Sequence, residues 1–190
     1  MDDLIEIRWH GRGGQGVVTA GKLLAETALG TGRFFQAFPD YGPERMGAPI
    51  RAFTRLSSRP ITVHAQIEHP DVVVVLDPTL LAGVPVVEGL REDGDLVVNT
   101  PLSPAAVRAE TGLATGQVFT VDASHIAIDE MGRELTNTPM LGALARATGV
   151  FDLDELAEQL RAWFASRIPA DAVEANVRAL HRAAAELQRG

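Results

Sequence analysis

The residues whose types and spacing suit chemistry lie first in Gly11-x-Gly13-x-x-Gly16, with Arg12, Gly14 and Gln15 filling the intervals. The stretch follows an alternating strand, I-E-I-R-W-H, read as stopping at His10. It runs on into V-V-T-A-G-K-L-L-A-E-T-A-L, whose apolar residues fall at the three-to-four spacing of a helix. Strand, glycine turn and helix form the first half of a βαβ unit. Such a turn asks for positive φ and close backbone approach, which glycine allows. The free N–H groups and partial positive charge at the helix start can then hold a phosphate. The spacing satisfies the dinucleotide fingerprint in the context that motif requires. That fingerprint also expects an acidic residue roughly 20 positions on, at the end of the second strand. Here the second strand, Arg33 to Phe38, ends on Phe38 and Pro39 with Asp40 in the next turn. No ribose clamp is evident, so three readings stay open: NAD or FAD, another phosphate ligand, or a tight structural turn.

A second group lies in P-D-Y-G-P-E-R-M-G-A-P, which has three prolines and two glycines in eleven residues and reads as a long, stiff loop. Glu44 and Arg45, flanked by Tyr41 and Met46, suit a specific contact when a loop is held rigidly; the alternative is a solvated turn. Asp77, Asn99, Thr100 and Asp122 close successive strands along one edge of the expected sheet. Asp77 is placed to reach a ligand there, or to cap the helix that Pro78 opens. Asn137, in the polar turn Thr136-Asn137-Thr138, binds a ligand or makes an Asx turn. His64 and His69 lack a third ligand, and no metal site is expected. No serine lies in a nucleophile elbow and no histidine has a recognisable orienting group, so the isolated chain is expected to be catalytically silent.

The elements that must position these groups form an α/β pattern. Arg51 to Leu56 and Ile61 to Ile67 alternate on either side of Ser57-Ser58-Arg59-Pro60 and read as an antiparallel hairpin. Val72 to Leu76 is a continuous apolar run, as in a parallel strand buried on both faces, and Asp95 to Asn99 and Val118 to Asp122 repeat the pattern. Helices are expected from near Gly16 to Gly30 or Gly32, from Pro104 to Gly112, over His125 to Met131, from Thr138-Pro139 to Gly149, from Asp152 to about Ser166, and over Ala170 to Gln188. The expected fold is Rossmann-like: a mostly parallel sheet with flanking helices, one antiparallel hairpin and a helical C-terminal part. At 190 residues, one domain over 1–190 is the economical reading.

Composition narrows the function classes. A net charge of −8 argues against a nucleic-acid partner, which needs a basic footprint. The apolar runs are strand-length, well short of the ~18 residues of a membrane span. Asp2 and Asp3 open the chain with no basic-then-apolar leader pattern, so the cytoplasm is the expected location. The sequence contains no cysteine and so supplies no thiolate to an iron–sulfur cluster.

Three motifs taken together, G-R-G-G-Q-G at 11–16, Y-G-P-E-R-M-G-A-P at 41–49 and N-T-P-M-L-G-A-L at 137–144, resemble the gamma subunit of 2-oxoacid:ferredoxin oxidoreductases such as pyruvate synthase. They occur in order and the resemblance spans the chain from Ile5 through the last helices. The family often has a second arginine where this chain has Met46. The resemblance implies a subunit of a multi-chain enzyme that converts a 2-oxoacid and coenzyme A to an acyl-CoA and carbon dioxide with reduction of ferredoxin, or runs in reverse. It implies thiamine diphosphate and 4Fe–4S clusters on partner subunits (alpha and beta, and delta where present) and a contribution by this chain to assembly and to the coenzyme A side. The residues expected there are Gly11, Arg12, Gly13, Gly14, Gln15, Gly16, Tyr41, Glu44, Arg45 and Asn137. Two readings stand beside it: a self-sufficient nucleotide-binding dehydrogenase and a non-catalytic scaffold.

Overall fold

The computed structural model describes residues 4–30, 32–40 and 47–190. One sheet organises them, with strands β1 (Ile5–Arg12), β2 (Phe34–Asp40), β3 (Pro49–Ser57), β4 (Val72–Val75), β5 (Asp95–Asn99), β6 (Gln117–Val121) and β7 (Gln188–Arg189) in the order β2-β3-β1-β4-β5-β6-β7. β1, β4, β5 and β6 are parallel neighbours, while β3 runs antiparallel to both β1 and β2. The helices are α1 (Val17–Gly30), α2 (Pro104–Thr111), α3 (Ala123–Met131), α4 (Asn137–Thr148), α5 (Leu153–Phe164) and α6 (Ala170–Ala185). This is the mostly parallel, Rossmann-like α/β arrangement read from the sequence, with its helical C-terminal part.

The valines of β4 are 0–4% exposed because apolar layers cover both sheet faces. On one face Ile7 and Trp9 of β1 pack with α1, α4 and α6 around Leu23, Leu24, Met140, Leu144 and Leu180. On the other, Val73, Val75, Leu96 and Val98 pack with Leu80, Val86 and Val107. Helix ends follow local chemistry. Ser103, Asp122 and Asp152 accept backbone N–H bonds at the starts of α2, α3 and α5, and Gly112, Gly132 and Gly149 close α2, α3 and α4 in the left-handed conformation.

The antiparallel hairpin is present, but with different partners: it joins β2 and β3, and residues 61–67 form no strand. Both edges of β3 are already occupied, by β1 and β2, so the alternating run Ile61 to Ile67 has no edge of β3 to pair with. β1 extends past His10 because β3 continues to Pro49 and supplies partners to Gly11 and Arg12. β2 begins one residue later than expected and reaches Asp40. It lies parallel to β1 with β3 interposed, so β1-α1-β2 is a split βαβ unit. The segment after Pro78 makes one 3₁₀ turn, Pro78–Leu80, in place of a longer helix. The helix α4 begins at Asn137, earlier than Thr138, and the run to Gln188 breaks at Ala185 so that Gln188–Arg189 pairs with β6.

Candidate functional site

The glycine turn occupies the point where the strand order reverses, between β1 and β4, and open α/β sheets bind ligands at such crevices. Gly13 N–H donates to Ala48 O (3.2 Å), Gln15 N–H donates to Arg12 O (3.1 Å), and Ala20 N–H donates to Gly16 O (2.8 Å) to begin α1. Gly14 and Gly16 adopt φ of +97° and +77°. The N–H groups of these two glycines bond to no other described residue. Gly11 is needed for a different reason, since a Cβ there would run into the Val17 side chain and sit 3.2 Å from Gln15 Oε1.

Asp77, at the end of β4, ties the turn down. Gln15 Nε2 donates to Asp77 Oδ2 (2.8 Å) while Gln15 Oε1 accepts from Arg12 N–H (2.7 Å). Arg12 Nε lies 3.1 Å from the same Asp77 oxygen, and its Nη1 and Nη2 donate to Gly47 O and Thr79 Oγ1. The other carboxylate oxygen accepts from Thr79 N–H (2.9 Å) and Thr79 Oγ1 (2.6 Å). Burial alone would raise this carboxyl's pKa. The donors on Thr79 and Gln15, with the Arg12 charge, outweigh burial and hold it below its ordinary value. Asp77 therefore caps the 3₁₀ turn, one of the two roles expected of it, and also lines the crevice.

Beside the turn lies a cleft of about 390 Å³ lined by Gln15, Asp77, Thr79, Asn99, Ser124, Glu134 and Thr136, with Leu76 and Pro78 beneath. Asn99 Nδ2 bridges Leu76 O (2.8 Å) and Ser124 Oγ (3.0 Å), and Ser124 Oγ donates to Glu134 (2.8 Å). Asp77 is already satisfied by four donors, and Glu134 and Thr136 supply further acceptors in the cleft, so it suits neutral groups carrying N–H or O–H donors. Phosphates are better received at the glycine turn and the start of α1, where the Gly14 and Gly16 N–H groups have no partner among the described residues.

Of the residues singled out in the sequence, Gly11 and Arg12 end β1, Gly13 to Gly16 form the turn, and Asn137, on the first turn of α4, packs on Gly16. A Cβ built at Gly16 would lie 3.1 Å from Asn137 Nδ2. Tyr41, Glu44 and Arg45 lie outside the described residues. Asp122 is spent on capping α3 through His125 N–H, and Thr100 Oγ1 accepts from Leu102 N–H. Thr79, Ser124, Glu134 and Thr136 were not foreseen. They sit near strand or helix ends, Thr79 in the 3₁₀ turn after β4, Ser124 at the start of α3 and Glu134 and Thr136 between α3 and α4, ordinary polar positions that only the assembled sheet edge draws together. Among the described residues no group of three or more metal-ligating side chains occurs. Nor is any described helix long and apolar enough to cross a membrane.

The fingerprint's missing acid also has a structural account. Asp40 does end β2, but β3 separates that strand from the turn, and Asp40 is bound by Arg51 (2.6 Å) and Gln66 (3.0 Å).

Residues 6–186 match the family model described as pyruvate ferredoxin/flavodoxin oxidoreductase. The chain belongs to this family. It is 49% identical over 183 residues to the pyruvate synthase subunit PorC of Thermotoga maritima, covering 96% of this chain and 94% of that one. It is 44% identical over 180 residues to the gamma subunit common to the pyruvate and ketoisovalerate oxidoreductases of Pyrococcus furiosus, covering 95% of each. The crystal structure of the pyruvate oxidoreductase subunit PORC from Thermotoga maritima superposes with a TM-score of 0.88 at 46% identity over 99% of both chains. Within the pyruvate ferredoxin/flavodoxin oxidoreductase family the chain is thus a gamma-type subunit, and its relatives are subunits of multi-subunit 2-oxoacid oxidoreductases.

Proposed function

We propose that this gamma-type subunit supplies the coenzyme A side of the active site of a 2-oxoacid:ferredoxin oxidoreductase. That enzyme forms acyl-CoA and carbon dioxide from a 2-oxoacid and reduces ferredoxin, or runs in reverse. The observation that carries the proposal is positional: a glycine turn whose Gly14 and Gly16 N–H groups have no partner among the described residues opens α1 at the β1/β4 reversal, beside a polar cleft. A coenzyme with phosphates at one end and amide and hydroxyl donors along its arm matches those two parts in order. The phosphates meet the turn and the remaining N–H groups of Arg12, and the neutral arm enters past Asp77 and Glu134.

The cluster and thiamine chemistry is assigned to partner subunits. Iron–sulfur clusters are held by cysteine thiolates, and this chain has none. The relative shared by pyruvate and ketoisovalerate enzymes supports a further point, that the choice of 2-oxoacid is made on another chain. A stand-alone dehydrogenase is disfavoured because the only acid at the end of β2 is held by Arg51, away from the turn.

The test is Arg12→Ala and Arg45→Ala in the assembled enzyme. The expected result is a KM for coenzyme A raised about tenfold or more, equivalent to ~1.4 kcal/mol, with the KM for the 2-oxoacid unchanged. An unaltered coenzyme A KM in both variants overturns the proposal. Titration of the isolated chain with NADH is expected to show no tight binding.

A further inference from the structure

The sheet face turned away from α1 carries a cationic site that the glycine turn does not use. Arg8 of β1 lies between Phe53 of β3 and Val73 of β4, and is only 4% exposed. Its Nε donates to His10 Nε2 (3.1 Å), and its Nη2 donates to Val86 O (3.1 Å) and to Glu88 O. These partners are all neutral acceptors. Among the described residues no carboxylate bonds to this guanidinium, and its Nη1 has no hydrogen-bond partner. A buried cation that no carboxylate bonds, and that Glu88 offsets only through space, is costly, and an anion reaching its free edge recovers part of that cost.

Arg8 lines a cavity of about 420 Å³, within the range of small-molecule sites, that opens between β3, the 66–69 segment and the 88–89 turn. Its lining sorts ligands by charge and shape. Arg51 is already paired, its Nε (2.8 Å) and Nη2 (2.6 Å) both engaging Asp40, which offsets its charge at the opening. Glu68 and Glu88 stand exposed at the rim and oppose a dianion. Phe53 and Ile67, 2% and 3% exposed, give the cavity an apolar wall. One buried guanidinium with an unpartnered edge, a second already paired to Asp40, an acidic rim and an apolar wall fit one ligand class.

We propose that this cavity binds a small monocarboxylate with a short apolar tail, the carboxylate on Arg8 Nη1 and the tail against Phe53 and Ile67. The site is separate from the proposed coenzyme A cleft: it opens on the sheet face at mid-strand, whereas the cleft lies at the strand ends.

The experiment is thermal unfolding of the full chain in sodium butyrate against sodium chloride at equal ionic strength. At several times its Kd, butyrate is expected to raise Tm by about 2–4 °C. Inorganic phosphate is expected to match chloride, and Arg8→Gln to abolish the butyrate effect. An equal butyrate effect in Arg8→Gln, or none in the natural chain, overturns the proposal. Should Arg8→Gln fail to fold, crystals of the natural chain soaked in butyrate give the answer: density bridging Arg8 Nη1 and Phe53 upholds the site, and its absence overturns it. The same titration on the assembled enzyme tests the competing source of a carboxylate. Butyrate binding that persists there upholds the small-molecule site, and binding lost on assembly overturns it in favour of an acidic side chain from a partner subunit.

Discussion

Gln15 and Asp77 are joined across the sheet's reversal point by a 2.8 Å bond from Gln15 Nε2 to Asp77 Oδ2, while the same amide's oxygen accepts from Arg12 N–H. One side chain therefore fixes the glycine turn to β1 behind it and to β4 beside it. The turn's unpartnered Gly14 and Gly16 N–H groups are held in place by neighbours, and an anion met there pays little ordering cost.

Gln15→Ala removes both bonds and leaves Asp77 with one donor fewer. A loss of about 1–3 kcal/mol in unfolding free energy is expected from the part-buried, charge-assisted pair. A rise in the KM for coenzyme A should accompany it in the assembled enzyme. Gln15→Glu should be worse at neutral pH, because it sets a second carboxylate against Asp77. Urea midpoints and initial-rate kinetics on the three proteins check this, and a stable Gln15→Ala enzyme with unchanged kinetics would falsify the bracing role.

The contact between Gly16 and Asn137 yields a comparison with Gly14. Both glycines have positive φ, so alanine at either position strains the backbone by roughly 1–2 kcal/mol. Nothing lies within 4 Å of a Cβ at Gly14, whereas one at Gly16 meets Asn137 Nδ2 at 3.1 Å and Cγ at 3.3 Å. Gly16→Ala is therefore expected to be the more damaging by about 1 kcal/mol. Adding Asn137→Ala should return most of that difference, which a double-mutant cycle measures. Strict additivity would show that the two motifs do not touch in solution.

How much of this was legible follows from which interactions are local. The strand–turn–helix and the caps at Asp77, Ser103 and Asp152 depend on residues within a few positions of one another, and the sequence states them. Partnership across the sheet is not local. Ile61 to Ile67 alternates as well as any strand, but nothing in the run says that both edges of β3 are taken. Asp77 reads as a cap from Pro78 alone, and its bonds to Gln15 and Arg12 exist only because β1 and β4 lie side by side. Arg8 and His10 show the same limit from the other direction. Alternation in I-E-I-R-W-H marks them as the polar, outward set, whereas segments distant in sequence bury both.

Burial of His10 has a measurable consequence. Burial first, then the charges of Arg8 and Arg51, push the imidazole down to about 3, so it is neutral in the folded chain. Between that value and its ordinary 6.5 the unfolded chain binds the extra proton, and stability falls as pH falls. Asp95 acts in the opposite sense. Burial pushes its carboxyl up to about 6, with Asp93 adding and Arg189 opposing, so between 3.8 and 6 the folded chain holds the extra proton and stability falls as pH rises. The two linkages oppose each other from about pH 4 to 6. Asp95→Asn should expose the histidine term, a loss of up to about 1.4 kcal/mol per pH unit on acidification. His10→Gln, which keeps an acceptor for Arg8, should reverse the slope. Chemical denaturation at pH 4, 5, 6 and 7 checks both, and parallel profiles for the two variants would refute the assignment.

The helix that carries Asn137 is itself positioned by a backbone contact at its middle. Gly142 of α4 lies so close to Leu180 of α6 that an added Cβ would overlap the Leu180 carbonyl oxygen and sit 3.1 Å from its Cα. Thr138 Oγ1 donates to Asn176 Oδ1 (3.0 Å) across the same helix pair. Two effects compete in Gly142→Ala. Alanine gains about 1 kcal/mol of helix propensity, but the obstructing atoms are backbone and cannot rotate away, so the helices must separate. Overpacking of this kind costs about 1–3 kcal/mol, and lost contact along Leu141, Leu144 and Val177 adds to it. The steric term should win, with a net loss near 2 kcal/mol by urea denaturation. Because α4 begins at the glycine turn, its displacement should also raise the KM for coenzyme A while leaving that for the 2-oxoacid unchanged. A variant that gains stability would mean that α4 and α6 pack less closely in solution, and Asn137 would then lose its fixed place against Gly16.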